Sequence, residues 1–171
     1  MNVSDLLDML EGAWRLSRSI EAEGAVMQGR AQFSRLAQDA LLYREEGVLT
    51  LHNGQTVRCT RSYRFLAQGE SLQIVFNDAP DAGKPFVTLR FSDAPSGGVI
   101  ANDEHLCVAD TYSVRYCLRL PAGYETDISV SGPRKKYRAV TRYSKIDDDQ
   151  ALISADDLMR QPGGDLGNQH D

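Results

Sequence analysis

The chain has 171 residues, 42% of them hydrophobic and 25% charged, and no apolar run approaches the about 18 residues of a membrane-spanning helix, which excludes a helical span. Its formal charge of −5 is unevenly placed: residues 147–171 carry seven acids and one base, leaving 17 acids and 18 bases in residues 1–146. The body is nearly neutral, so the overall acidity does not exclude an anionic ligand. Cys59, Cys107 and Cys117 are an odd number of thiols, and Asp5, Asp8 and Glu11 stand where a signal peptide would be basic. The expectation is one domain over 1–146 in a reducing, cytoplasmic compartment, followed by a flexible acidic tail over 147–171.

In chain order, Val3, Leu6, Leu7 and Leu10 have helical spacing, with Ser4 placed to cap a short amphipathic helix lying against something apolar. From Gly12 onward the apolar period is 2, in segments near 13–21, 25–37, 40–45, 48–52, 56–66, 71–77, 86–91, 99–119, 124–131 and 135–145, separated by Gly, Asn, Asp and Pro. About ten consecutive strands with short links predict an antiparallel up-and-down meander. Asn53-Gly54 supplies the positive-φ pair of a tight hairpin, and Gly132-Pro133 marks another reversal. A sheet of this size, apolar on one face, must close or pack to bury that face, and closure into a barrel also removes its edges.

Side chains alternate across a strand, so a charge on an apolar face is the informative exception. Arg18 interrupts Trp14, Leu16 and Ile20; Arg61 interrupts Val57, Cys59, Tyr63 and Phe65. Asp110 interrupts an inner row predicted as Leu106, Val108, Tyr112, Val114, Tyr116 and Leu118, with His105 and Cys107 on the opposite face. In the last strand Tyr137, Ala139, Thr141 and Tyr143 share a face, predicted to be the inner one. Inside a barrel these charges need partners or water. One solution is an internal Arg/Asp network that satisfies itself. The other is a carboxylate or phosphate ligand held by guanidinium groups. Glu45 and Glu46 occupy opposite faces, which rules out an acid/base dyad but lets one of them face Arg18 or Arg61.

Metal and nucleophile readings of His105, Cys107 and Asp110 are disfavoured, because the alternation expected of a single strand sends Asp110 to the other side. The run Arg134-Lys135-Lys136 reads as a solvated hairpin that could meet an anionic partner or the acidic tail. With no phosphate-cradling Gly-rich loop and no aromatic-basic platform, no nucleic-acid partner is expected, and without an apolar span no membrane partner is expected.

Gly12-Ala13-Trp14 after a short helix resembles the opening of calycin barrels, which include lipocalins, cytosolic fatty-acid-binding proteins and nitrobindin-type haem barrels. That resemblance implies a structural cation over Trp14, for which Arg138 and Arg142 are the candidates. Over roughly residues 10–145, the series Leu10-Glu11-Gly12-Ala13-Trp14, Tyr43-Arg44-Glu45-Glu46-Gly47, Tyr63-Arg64-Phe65, His105-Leu106-Cys107-Val108-Ala109-Asp110-Thr111-Tyr112 and Val130-Ser131-Gly132-Pro133-Arg134-Lys135-Lys136-Tyr137 is similar to an uncharacterised calycin-like family of bacteria and fungi with no assigned activity. The expected fold is a single all-β calycin-like barrel. Its expected activity is binding a small amphipathic or anionic molecule in the lumen, lined by Arg18, Arg61, Tyr63, Asp110, Tyr112, Tyr116, Tyr137 and Tyr143. Arg18 and Arg61 would anchor an acidic group and Asp110 would orient one of them. No catalytic residue, metal or cofactor is assigned; haem is the alternative suggested by fold analogy, disfavoured by an outward His105. An interaction module with a filled lumen and a homo-oligomer are both compatible with the sequence.

Overall fold

A computed structural model describes residues 1–21 and 23–147. The acidic segment beyond Asp147 lies outside the described residues. The chain forms α1 (Val3–Leu10) and eleven strands: β1 (Gly12–Ile20), β2 (Ala25–Ala37), β3 (Ala40–Thr50), β4 (Thr56–Gln68), β5 (Ser71–Phe76), β6 (Pro85–Arg90), β7 (Ser92–Asp93), β8 (Val99–Cys107), β9 (Asp110–Arg119), β10 (Gly123–Ser131) and β11 (Lys136–Lys145). All neighbours are antiparallel in the order β6-β5-β4-β3-β2-β1-β11-β10-β9-β8-β7, so the first and last strands meet in the middle of the sheet and curl it into a nearly closed barrel. Among the described residues no helix is long and apolar enough to cross a membrane.

Three details depart from the sequence expectation. Strand β3 runs through Gly47 without a break, because Gly47 pairs with Gly29 of β2 at a close backbone crossing. A Cβ on Gly29 would sit 2.2 Å from the Glu46 carbonyl oxygen, so the pair of glycines permits sharp curvature. The stretch 99–119 is two strands, joined by a tight turn at Val108 and Ala109 with Cys107 opposite Asp110. This turn reverses the predicted placement of everything before it: Leu106 and Val108 are 69% and 96% exposed, while His105 pairs with Tyr112 on the inner face. Finally, the short β7 brings the strand count to eleven.

Helix α1 seals one end. Its Val3, Leu6, Leu7 and Leu10 are buried, and the cap is Asn2, whose Oδ1 accepts the Asp5 N–H at 2.8 Å, in place of Ser4. Trp14 Nε1 donates to the Leu10 carbonyl at 2.8 Å, fixing the helix over the first strand. The cation over the Trp14 ring is Lys145 Nζ, 4.6 Å from the centroid, and the same ammonium donates to the Met9 and Glu11 carbonyls at the helix end. Arg138 and Arg142 point outward and pair with Asp127 and Glu125, because their parity on β11 is opposite to that of Tyr143 and Lys145 reaches Trp14 from the strand end.

Candidate functional site at the open end of the barrel

Above α1 the lumen is filled. Trp14 meets Tyr124 edge-on at 5.1 Å, Tyr124 stacks on Tyr143 at 4.0 Å, and Phe33 reaches across from β2 to Tyr124 at 6.5 Å. Tyr116 stacks near Tyr124 and is buried with it.

The next layer is polar. Arg18 on β1 donates from Nη1 and Nη2 to both oxygens of Glu45 on β3, at 2.9 and 2.8 Å, and from Nε to Thr141 Oγ1 at 2.7 Å. Tyr43 donates to Glu45 Oε2 at 2.5 Å and shares a 3.0 Å hydrogen bond with the Tyr143 hydroxyl. Burial alone would push the Glu45 carboxyl up, yet the bonds from Arg18 outweigh it and hold it below the ordinary carboxylate range. Burial likewise opposes the Arg18 charge, and the Glu45 bonds reverse that, raising its pKa further. Desolvation, then the nearby Glu45 charge, pushes the Tyr143 phenol up to about 12. Both carboxylate oxygens and all three guanidinium nitrogens are engaged, so the layer is a self-satisfied ionic cluster that divides the packed lumen from its open end.

At the open end Arg61 takes the position over Glu45, its register partner on the adjacent strand. Its side chain is 47% exposed; Nη1 donates to the Tyr63 hydroxyl at 3.1 Å, and Nε lies 3.7 Å from Asp78 Oδ2. Asp78 is held in turn by the Ser62 N–H at 3.0 Å. Strand β5 pairs with β4 only from Tyr63 onward, so residues 56–61 are an edge and the wall is open beside the loop 77–84. Rings pack on one another beside this opening, around a buried Phe86: Tyr63 stacks on Phe86 at 5.7 Å, Phe76 touches it at 4.9 Å, and His105 and Tyr112 meet it at 5.5 and 6.1 Å. Tyr137 lies in the same row as Tyr112 through Val130, half-buried.

The residues singled out in the sequence thus separate by depth. Tyr116 and Tyr143 belong to the packed layers and Arg18 to the ionic cluster, while Arg61, Tyr63, Tyr112 and Tyr137 border the opening. Asp110 faces neither arginine; its Oδ1 is buried without a partner, under the backbone of Gly132. Glu45 orients Arg18, as allowed for one of the Glu45/Glu46 pair, and Asp78 steadies Arg61, so neither arginine has Asp110 as the partner predicted for one of them. His105 faces inward, correcting its predicted outward placement, and shares that face with Cys107 and Asp110 across the turn. Even so, no three His, Cys, Asp or Glu groups gather as a metal site among the described residues. Phe76, Phe86 and Asp78 were not singled out. The length of the 99–119 segment, 21 residues against the usual 3 to about 10 of a strand, was the signal for the hidden turn.

Two grooves lie on the outer wall. One, of about 520 Å³, crosses the backbone of Ala31, Glu45 and Arg61 and ends at Asp78; the other, of about 590 Å³, lies over Ser113 and Arg115. Both face solvent. The ring-lined opening is chemically the more selective place, since it joins a partly free cation to apolar walls.

The fold is similar to that of the S-type phycobiliprotein lyase CPES from Guillardia theta, with a TM-score of 0.60 and 10% identity over 86% of this chain and 94% of that one. A redesigned β-barrel, with a TM-score of 0.48 and 11% identity, is covered over 100% of its length and 86% of this chain. EF1p2_mFAP2b bound to DFHBI gives a TM-score of 0.48 and 12% identity over 84% of this chain and 98% of that one. At these identities the likeness is one of fold. No curated protein matches the sequence. A family profile does match, over residues 10–145, and the helix end, every long strand and the whole open end fall inside that span: the chain belongs to DUF6314, a family of unknown function.

Proposed function

We propose that the barrel binds a small anionic molecule with an apolar or planar body at its open end. Arg61 receives the acidic group. Tyr63, Phe76, Phe86, Tyr112 and Tyr137 supply the walls, with phenol hydroxyls as polar handles. Arg18 acts beneath them as the fixed partner of Glu45, and Asp110 borders the site from the end of β9, with its Oδ1 tucked under Gly132. The observation that carries the reading is the half-exposed Arg61 guanidinium, whose nearest carboxylate is 3.7 Å away, set among aromatic rings. A half-exposed guanidinium beside ring faces is suited to receive a carboxylate or phosphate attached to an apolar group, which would compete with Asp78 for it. This is the function of a calycin-like carrier or sensor and requires no catalytic step. The free state of Cys59, Cys107 and Cys117 supports a cytoplasmic setting.

Native mass spectrometry of the purified protein would give the mass of any co-purified molecule, and Arg61→Met tests the anchor. Loss of a charge-assisted contact costs about 1.5–3 kcal/mol, so affinity for that molecule should fall by roughly ten- to hundredfold. Unchanged affinity in a folded variant would exclude the anchor. The inward His105 imidazole favours haem as a second reading: haemin should then give a Soret band that His105→Ala removes.

A further inference from the structure

We infer that the rim of the open end docks on an anionic lipid surface, with Leu106 and Val108 entering the interface beside Arg134, Lys135 and Lys136. This goes beyond the ligand site and does not depend on it. Val108 is 96% exposed and adopts φ 56°, the left-handed region, where a β-branched residue is strained and glycine or asparagine would be ordinary. Leu106, two residues before it, is 69% exposed on the outer face. A turn that holds an apolar side chain in water at a backbone cost points to a use for that side chain.

The neighbouring turn supplies the charge. Asp110 begins β9 directly after Val108 and Ala109, and a Cβ on Gly132 would lie 1.8 Å from Asp110 Oδ1, so the two turns are pressed together. Glycine at 132 allows that contact. It places the exposed run Arg134, Lys135 and Lys136 next to the apolar tip. None of these three forms an ion pair among the described residues, whereas Arg115 and Arg138 share Asp127 and Arg142 takes Glu125 on the wall below. Glu104 shares the outer face with Leu106 but stands two residues, about 7 Å, farther from the tip. Apolar side chains projecting beside this cationic turn match the anionic headgroup and acyl boundary of a bilayer, Glu23 being the acid that acts on Tyr137 together with Lys135. A stable protein partner would call for roughly 800 Å² on each side, far more than two side chains offer.

The full chain, mixed with vesicles of phosphatidylcholine containing about 30 mol% phosphatidylserine, should co-sediment far more than with phosphatidylcholine alone, and added salt should release it. Each base contributes about fivefold near such a surface, so R134Q/K135Q/K136Q should weaken binding by roughly a hundredfold. Leu106→Asp with Val108→Asp should abolish sedimentation while leaving the folded spectrum unchanged, both positions being exposed. Equal sedimentation with both vesicle types, or binding that both variants retain, overturns the proposal. So does dimerisation without vesicles that the Leu106/Val108 variant disrupts, since it would assign the patch to a second copy of the chain.

Discussion

The pair Arg18 and Glu45 shows how a charge can sit on the inner face of a barrel strand. Their side chains are 20% and 6% exposed, and each is satisfied by the other. Removing one partner leaves a buried charge uncompensated, which typically costs about 3–5 kcal/mol, while replacing both with apolar groups is often neutral. Glu45→Leu should therefore be strongly destabilising in urea, and Arg18→Met with Glu45→Leu should recover most of the loss; a mild effect of the single change would mean that water reaches the guanidinium from the open end. Titration carries the same information at both pH extremes. The folded pKa of Glu45 lies below its ordinary 4.5, so its contribution is complete above that value and fades as pH falls through the folded one. For Tyr143 the folded pKa is raised by burial and then by the Glu45 charge, from 10 to about 12, so its contribution is complete below 10 and lost as pH climbs through 12. Two units correspond to about 3 kcal/mol. Across that alkaline interval Tyr143→Phe should lose less stability than the parent chain by about that amount, and equal slopes in urea midpoints against pH would contradict it.

At the scale of elements, parity was reliable wherever a strand was correctly bounded. Arg18, Arg61, Tyr63, Tyr116, Tyr137 and Tyr143 all lie on the inner face predicted from alternation, whereas the expected positive-φ pair at Asn53-Gly54 is corrected: Gly54 alone has positive φ, 82°, and its N–H donates to the Leu51 carbonyl in a wider hairpin loop. Failure came at one boundary. The turn at Val108 and Ala109 has no glycine, asparagine or proline, so turn chemistry could not reveal it, and a one-turn error inverted Leu106, Val108 and His105 together. Gly47 misled in the other direction: it signals a close crossing with Gly29, where a break was expected. Such crossings depend on register between strands, which a single sequence does not display. The cation on Trp14 is a similar case. Lys145 reaches it because β11 ends level with the start of β1, a relation visible once the strands are paired.

The whole barrel is closed unequally. Ladders of backbone hydrogen bonds join every strand from β6 round to β7, but β6 and β8 face each other across a seam without a ladder. The seam is bridged by the Asp103 carboxylate, whose Oδ2 accepts the Thr88 N–H at 2.7 Å while Oδ1 accepts the Glu104 N–H at 2.8 Å. Above it Phe86 of β6 meets His105 of β8 and Tyr112 of β9, so the seam runs straight into the proposed ligand site. A side-chain bridge lets the opening widen at the cost of one charge-assisted bond, where unzipping a ladder would cost several. Asp103→Ala should therefore act locally. Loss of a bond worth about 1.5–3 kcal/mol predicts roughly tenfold to hundredfold faster hydrogen exchange at Thr88 and the β8 amides facing it. Amides of β1, β2 and β11, each paired on both sides, should keep their protection. If exchange instead rises uniformly around the sheet, the seam is part of the global unfolding unit. The ring cluster of Phe86, His105 and Tyr112, and not the Asp103 carboxylate, would then be what holds the barrel closed.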